Sequence, residues 1–326
     1  MNQKVDPGAA RSPAYSYQDL LDTENVDVPA SLRESTNTYL GSEDLPIERW
    51  TSREFFDLEV EKMWSKVWQM ACRESQLKNP GDYFVYDIVN WSILITRTES
   101  GELKAYHNSC LHRGRVLKQG AGNTDELRCP YHGFTWELDG QFREAPCQWD
   151  FPHIEDRDFS LPEVRLDTWG GWVFVNLDDD APDLLEYMGI IPEHFERWKH
   201  EQRYVGMHVQ KVINANWKAV VEAFIESYHA IATHPQIMSY QGIDNSQYDT
   251  WGDNVSRTIT SAGVINPSHE DRYTQQDTVS DMLGTSVLVA ETEEDGSGVQ
   301  RARDTIADIN VGAFSEQQGE DLHGVA

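Results

Sequence analysis

The chain has 326 residues, 39% of them hydrophobic and 11 of them tryptophan, a composition typical of a folded protein long enough for two cores. Its 27 Lys and Arg against 55 Asp and Glu give a formal net charge of −28. Such an acidic surface repels nucleic acid and anionic membranes, which excludes both as partners. Four cysteines, no signal-peptide pattern and no apolar run of membrane-spanning length predict a cytoplasmic protein.

In chain order, the sequence first predicts an arm and then a strand-rich domain. Residues 1–44 are polar and aperiodic, so we expect an extended arm. The stretch 51–68 has helical spacing, with Thr51 or Ser52 as its cap. Short β-branched and aromatic runs follow and predict strands in YFVYDIV, WSILITR, LKAYHNS, FTWELDGQFRE and VRLDTWGGWVFVNL. Residues 45–180 are therefore predicted to form a small all-β domain.

The remaining residues, 181–326, are predicted to form a second, largely helical domain, so the fold class is α+β. Helical spacing marks LLEYMGIIPEHFERW and NANWKAVVEAFIESYHAIATHP, and the intervening YVGMHVQKVI is predicted to be a strand. Beyond residue 240 the sequence is polar and weakly periodic. Only a strand at TSVLVAET and a helix at VQRARDTIADI are expected there.

Two cysteines and two histidines lie close together in a loop-rich stretch, as Cys110-x-His112 and Cys129-x-x-His132. Four soft ligands in so short a stretch favour a metal site over ordinary core and surface residues. Structural zinc is one reading, because two cysteines and two histidines are also a zinc ligand set. An iron-sulfur cluster is favoured because each loop contributes one ligand of each type. The loops also carry residues suited to a close backbone approach, namely Gly114, Gly120, Gly122, Gly133 and Pro130.

CLHRG and CPYHGFTW resemble the two cluster-binding loops of Rieske proteins. The resemblance implies a 2Fe-2S cluster with both thiolates on one iron and both imidazoles on the other. Respiratory Rieske proteins add a disulfide between these loops, but Arg115 and Tyr131 stand at the corresponding positions here. The chain therefore resembles the oxygenase branch of the family.

A second group of metal-ligating residues lies on the predicted helix around residue 225. At about 100° per residue, Glu222, Glu226 and His229 are predicted to share one helix face. His234 precedes Pro235, which biases it away from helical geometry, so we expect the helix to end there. The alternative is that the two carboxylates face solvent and the histidines are structural.

Asn216-Trp217-Lys218, Glu222, Glu226-x-Tyr228-His229 and His234 together are similar to the iron-binding helix of Rieske non-haem iron oxygenases. The resemblance implies a helix-grip catalytic domain in which His229 and His234 bind mononuclear Fe(II). It also implies that Glu226 links the cluster of a neighbouring subunit to this iron, within a homotrimer or an α3β3 assembly. The family's third iron ligand is an Asp farther downstream.

No downstream Asp has the flanking residues of that third ligand, although Asp304 and Asp308 lie on a predicted helix. We therefore expect the chain to be truncated, with the helix-grip domain only partly present. The other histidines, His107, His153 and His208, are predicted to be structural. Cys72 and Cys147 are predicted to be buried free thiols.

The resemblance implies the oxygenase component of a multicomponent system. Electrons would pass from NAD(P)H through a reductase, with or without a ferredoxin, to the cluster and then to the mononuclear iron. O₂ would then hydroxylate or oxidatively demethylate an organic, aromatic or alicyclic substrate, as in aromatic hydrocarbon catabolism. Glu226 in place of Asp favours a monooxygenase over a dioxygenase on family analogy. The alternatives are a Rieske electron carrier without oxygenase activity and a zinc-stabilised binding module.

Overall fold

The computed structural model describes residues 15–24, 27–36, 43–154, 158–284 and 302–310. The chain divides into two compact units. The strand-rich unit comprises Ile47–Met188 and Trp198–Val212, and the mixed unit comprises the described residues of Met1–Pro46, Gly189–Arg197 and Ile213–Ala326. None of the helices in the described part of the chain has both the length and the hydropathy needed to cross a bilayer.

The helices are short, and every described strand except β11 has eight residues or fewer. The helices are α1 (Tyr17–Leu21), α2 (Ala30–Arg33), α3 (Glu48–Thr51), α4 (Arg53–Glu59), α5 (Leu184–Met188), α6 (Ile191–His194), α7 (Trp217–Ile225), α8 (Ala230–Thr233), α9 (Gln275–Leu283) and α10 (302–310). The strands are β1 (Gln69–Arg73), β2 (Asp82–Ile88), β3 (Trp91–Arg97), β4 (Leu103–His107), β5 (Ala121–Asn123), β6 (Leu127–Arg128), β7 (Thr135–Trp136), β8 (Phe142–Glu144), β9 (Arg165–Trp169), β10 (Trp172–Asn176), β11 (Gln241–Trp251) and β12 (Val255–Ala262).

The strand-rich unit contains three antiparallel sheets, ordered β1-β10-β9, β4-β3-β2-β5 and β6-β7-β8. Strand β3 separates two cores because successive side chains of a strand point to opposite faces. Ile93 and Ile95 pack into one cluster with Val173 and Val175, whereas Leu94 packs into the other cluster, beneath the Cys/His loops. The five strand segments predicted from the sequence between residues 83 and 177 are confirmed.

The turn between β7 and β8 fits closely against a buried tyrosine. Tyr106 is fully buried, and its hydroxyl donates to the Leu138 carbonyl at 3.3 Å. Gly140 in the turn has φ +80°, and a Cβ at this position would approach Tyr106 Cε1 to 2.5 Å. Glycine is required here for both backbone conformation and space.

The mixed unit is organised around the hairpin of β11 and β12, in a region where the sequence predicts no regular structure. Helix α9 was also not predicted. The predicted helix near residue 304 is confirmed as α10, and its buried Ala302 and Ile306 pack against Val279 of α9. The strand predicted at TSVLVAET lies outside the described residues.

Two local predictions are wrong. The predicted strand YVGMHVQKVI is exposed coil, since no described strand pairs with it and a strand cannot satisfy its backbone alone. The predicted extended arm contains α1 and α2.

The predicted helix over 51–68 is confirmed in part. Ser52 is its cap as predicted, since its side chain accepts from Phe55 N at the start of α4. Helix α4 then continues as a π-helix at Val60–Trp64, whereas Thr51 belongs to the preceding α3.

We expect Gly140→Ala to destabilise the strand-rich unit by about 2–4 kcal/mol, because it adds a steric clash with Tyr106 to the cost of a positive φ. Gly101→Ala is the matched control, since Gly101 has φ +84° and no described atom lies within 4 Å of the added Cβ. The control should cost only about 1–2 kcal/mol. Denaturation followed by tryptophan fluorescence measures both, and equal losses would contradict the assigned clash.

Candidate metal centres

The two Cys/His loops close on their own backbones in the same way. In the first loop, Cys110 N donates to the Arg115 carbonyl at 2.8 Å and Gly114 N donates to the Cys110 carbonyl at 2.8 Å. The second loop repeats both bonds at the same spacings, from Cys129 N to the Phe134 carbonyl at 2.8 Å and from Gly133 N to the Cys129 carbonyl at 3.0 Å. Both glycines have positive φ, +70° and +75°. Two equivalent turns therefore present the four candidate ligands.

The structure brings these four side chains together. Cys110 and Cys129 are 3% and 2% exposed, and their thiols are within hydrogen-bonding contact of each other. The rings of His112 and His132 lie with centroids 4.7 Å apart at an interplanar angle of 61°. The sulfur donors and the nitrogen donors thus form two adjacent pairs.

Electrostatics act in opposite ways on the two kinds of candidate ligand, because burial disfavours the Cys110 thiolate and favours the neutral His112 imidazole. Burial raises the pKa of the Cys110 thiol, and hydrogen bonds from the backbone N–H groups of His112 and Arg113 oppose that rise. Burial lowers the pKa of His112, and the neighbouring charges of His132 and Arg113 lower it further, which favours the neutral imidazole. His112 Nδ1 is buried, and no hydrogen-bond partner for it lies among the described residues. Such an unpaired buried nitrogen is costly unless it binds a metal, so the residues fit a 2Fe-2S cluster.

Aromatic side chains form an apolar wall around His112. Its ring stacks on Phe134 with centroids 4.7 Å apart and meets Phe151 edge-on at 5.8 Å. Phe134 belongs to a continuous aromatic cluster beneath the loops, in which Trp136 Nε1 donates to the Phe159 carbonyl at 2.8 Å. This wall limits water access to the side of the site that carries His112.

The second group departs from its predicted geometry. Helix α7 ends at Ile225, and Glu226 is extended with φ −134° and ψ 154°. The prediction that Glu222, Glu226 and His229 share one helix face is therefore wrong. Instead, the Glu226 carboxylate accepts from His229 N at 3.1 Å and lies 2.5 Å from His229 Nδ1. At the break, side chains of the β11–β12 hairpin bond the backbone of Ile225 and Ser227, contacts that sequence periodicity cannot reveal.

His229 and His234 flank the short helix α8 and face each other across it. Their ring centroids are 5.6 Å apart at 73°, and His234 is exposed. The predicted end of helical structure before Pro235 is confirmed, since α8 stops at Thr233 and a 3₁₀ turn begins at Pro235. The His229–Glu226 pair leaves Nε2 of His229 as the nitrogen available to a metal.

Among the described residues, no group of three or more His, Cys, Asp or Glu is arranged to hold a single metal ion. Asp304 and Asp308 are exposed on α10 and do not join the histidines. A 2Fe-2S cluster needs only two protein donors for each iron, so this finding does not bear on the Cys/His loops. For the mononuclear site, the described residues supply two histidines and the carboxylate bonded to one of them.

The remaining predicted residues lie apart from both groups. Cys72 is buried as predicted, and burial raises its pKa to about 12. The predicted burial of Cys147 is wrong, because it is exposed in a left-handed turn with φ +56°. His107 is half-buried in β4, whereas His153 and His208 are exposed.

Comparisons with known proteins give two family matches in chain order. Residues 67–155 match the Rieske [2Fe-2S] domain, and residues 193–300 match the ring hydroxylating alpha subunit (catalytic domain). The chain is a homologue of the alpha subunits of Rieske oxygenases. The α+β fold class and the order of the two domains predicted from the sequence are confirmed.

Individual relatives include both monooxygenases and dioxygenases. Chlorobenzene dioxygenase subunit alpha from Cupriavidus sp. (strain PS12) is 31% identical over 192 residues, which are 56% of this chain and 42% of the relative. The glycine betaine monooxygenase oxygenase subunit from Chromohalobacter salexigens is 30% identical over 233 residues, 69% of this chain and 52% of the relative. The chain spans about half the length of the curated relatives it matches.

Solved structures of both a Rieske monooxygenase and a dioxygenase are also similar to this chain. The quaternary ammonium Rieske monooxygenase CntA in complex with an inhibitor is 26% identical, with a TM-score of 0.57 over 67% of this chain and 66% of that chain. Naphthalene 1,2-dioxygenase bound to phenanthrene is 30% identical, with a TM-score of 0.52 over 58% and 44%.

Asn108, which the sequence did not single out, holds the first Rieske loop at both of its ends. Its side chain is 2% exposed and accepts from Leu117 N and Lys118 N, each at 3.1 Å. Its amide also donates to the Lys118 carbonyl at 2.9 Å and to Ser92 Oγ at 3.0 Å. One buried amide therefore fixes the span of chain that carries Cys110 and His112.

We expect Asn108→Ala to cost about 2–4 kcal/mol, because it leaves two buried N–H groups without partners. The Rieske cluster content, measured as iron and sulfide per chain, should fall together with the denaturation midpoint. Asn123→Ala is the control, since Asn123 makes its side-chain bonds at the exposed surface. Full cluster content in Asn108→Ala would show that the loop does not depend on this amide.

Proposed function

We propose that the chain carries the electron-transfer and iron-binding parts of the oxygenase component of a multicomponent Rieske oxygenase. The observation that supports this best is the paired placement of two buried thiols and two imidazoles, with a buried His112 Nδ1 that has no hydrogen-bond partner in the described part of the chain. The Glu226–His229 pair, with His234 nearby, supports a second metal site in the same chain. Residues 45–180 would form the Rieske domain and residues 181–326 part of the catalytic domain.

In this proposal, Cys110 and Cys129 bind one iron of the 2Fe-2S cluster, and His112 and His132 bind the other. The cluster supplies single electrons when bound. The protein contributes backbone N–H groups directed at the Cys110 sulfur, and an aromatic wall that limits water access. Both features tune the potential at which the site accepts an electron.

His229 and His234 would hold mononuclear Fe(II), together with a third ligand that the described residues do not place beside them. Glu226 fixes the orientation of the His229 ring by bonding its Nδ1, which leaves Nε2 to face the metal. We further propose that Glu226 lies on the electron route from the cluster of a neighbouring subunit, in a homotrimer or an α3β3 assembly. The iron would supply O₂ activation when bound.

The partners follow from this role. We propose a reductase that takes electrons from NAD(P)H, with or without a ferredoxin, in a cytoplasmic setting that keeps the free thiols reduced.

For the substrate, we propose monooxygenation of an organic molecule. Glu226 supports this on family analogy, and the charge of −28 attracts cationic substrates of the quaternary ammonium type as well as admitting neutral ones.

Cys110→Ala is expected to abolish the cluster, because one iron loses half of its protein ligands. Cys147→Ala is the matched control, since Cys147 is exposed and belongs to neither group. Iron and sulfide analysis with an electron paramagnetic resonance spectrum of the reduced protein measures the result. An EPR-silent wild type that contains zinc would support the zinc module instead.

His229→Ala should retain the cluster but lose the mononuclear iron, and with it NAD(P)H-dependent O₂ consumption in the full-length protein with its reductase. We expect a loss on the order of 100-fold or more, because a direct ligand matters at least as much as its hydrogen-bond partner. His208→Ala is the control, since His208 is exposed. Wild-type turnover in His229→Ala would contradict the oxygenase function. A wild type with a cluster but no mononuclear iron would favour the electron carrier.

A further inference from the structure

The β11–β12 hairpin carries a row of hydroxyl groups on one face. Tyr248 and Thr258 are directly opposite each other in the strand register, and Ser246 Oγ lies 2.8 Å from Thr260 Oγ1. Residues two apart on a strand point to the same side, so the four side chains form one continuous patch. We call Ser246, Tyr248, Thr258 and Thr260 the hydroxyl row.

The hydroxyl row binds the carbonyl group immediately before Glu226. Thr258 Oγ1 donates to the Ile225 carbonyl at 2.6 Å. In an uninterrupted helix, that carbonyl would accept from His229 N, four residues later. Here His229 N donates instead to the Glu226 carboxylate at 3.1 Å. The Ile225 carbonyl and His229 N, which would bond each other in a continuous helix, therefore each have another partner. The Thr258 hydroxyl is the partner of the carbonyl.

The same row binds the residue immediately after Glu226. Ser227 N donates to the Tyr248 hydroxyl at 3.2 Å, whereas in a continuing helix it would bond the carbonyl of Ala223. Ser227 Oγ lies 2.9 Å from that same hydroxyl and donates to Ser246 Oγ at 2.7 Å. Glu226 thus lies between two residues that are each bonded to the hairpin.

The opposite face of the hairpin bonds to the N-terminal segment, and these bonds hold the hydroxyl row in place. Arg257 and Asp249 form an ion pair at 2.8 Å, with side chains 8% and 0% exposed. Arg257 also donates to the carbonyls of Ser31 and Glu34, at 2.5 and 2.7 Å. Thr36 N donates to Asp249 Oδ1 at 2.9 Å. A two-stranded hairpin is marginal alone, so these contacts with the N-terminal segment stabilise it.

We propose that Thr258 and Tyr248 are positioning residues that hold the helix break at Glu226 and so keep its carboxylate on His229. The helical periodicity of this stretch favours continuation of α7 through residue 226. Without the hydroxyls, the amides around Glu226 lose the partners that compensate for the break. That the break also positions His229 to bind iron rests on the proposed function.

Hydrogen exchange of the cluster-containing chain, before any metal is added to the second site, tests whether the two hydroxyls hold the helix break. Thr258→Val removes the hydroxyl and keeps the branched shape, and Tyr248→Phe removes only the phenol oxygen. We expect exchange in segment 226–230 to change by about fivefold in both variants, the equivalent of one net hydrogen bond. Faster exchange means that the break frays, and slower exchange means that α7 continues through it. Thr258→Ser retains a hydroxyl and should behave as wild type, and unchanged exchange in the two deletions would overturn the proposal.

Titration of the same proteins with Co(II) tests the positioning of His229. We expect Thr258→Val and Tyr248→Phe to bind Co(II) roughly tenfold more weakly, with Thr258→Ser unchanged and the Rieske cluster content retained as a folding control. Altered exchange with unaltered Co(II) affinity would show that the hydroxyl row has a purely structural role, and it would contradict the proposal that the row positions His229. A wild type that binds no Co(II) beyond the His229→Ala background would refute the proposed iron site itself, while the exchange result would still decide the hold on the break.

Discussion

Desolvation of metal-ligating side chains is the constraint on which the strand-rich unit depends. Two thiols and an imidazole nitrogen are withdrawn from water at the end of the β-sheets, and within the described residues the buried His112 Nδ1 finds no protein partner. Burial without a partner is unfavourable, so this arrangement supports the proposal of a bound cluster that restores the lost interactions. The equivalent backbone turns, the aromatic cluster and the Asn108 amide all hold the donors in place for such a group.

The mixed unit has a different constraint: helix α7 ends at Ile225, and the backbone groups at its end need other hydrogen-bond partners. The backbone groups freed at Ile225 and Ser227 are taken up by hydroxyls of the hairpin, and the amide of His229 is taken up by Glu226. The same carboxylate bonds His229 Nδ1. One interruption therefore both ends α7 and creates the carboxylate–imidazole pair that defines the second site.

The two sites differ in how much of their geometry could be predicted. The Rieske loops are local: each cysteine, its histidine and the glycine that closes the turn lie within five consecutive residues. Ligand identity and spacing therefore carry most of the information, and the strands around them follow from alternation of apolar residues. At the second site the sequence identified Glu226, His229 and His234, yet it placed them on a continuous helix that the structure does not contain.

The sequence by itself determined the candidate ligands, the family resemblance, the strands of the first domain and the helical pattern that begins the second. Only the tertiary structure decided where α7 ends, how Glu226 meets His229, and that Asn108 closes the first Rieske loop. The reason is physical: propensity and periodicity report the preference of each segment alone. At the break at residue 226 the backbone bonds to hydroxyls about twenty to thirty residues farther along the chain, and the local sequence pattern contains no record of these contacts.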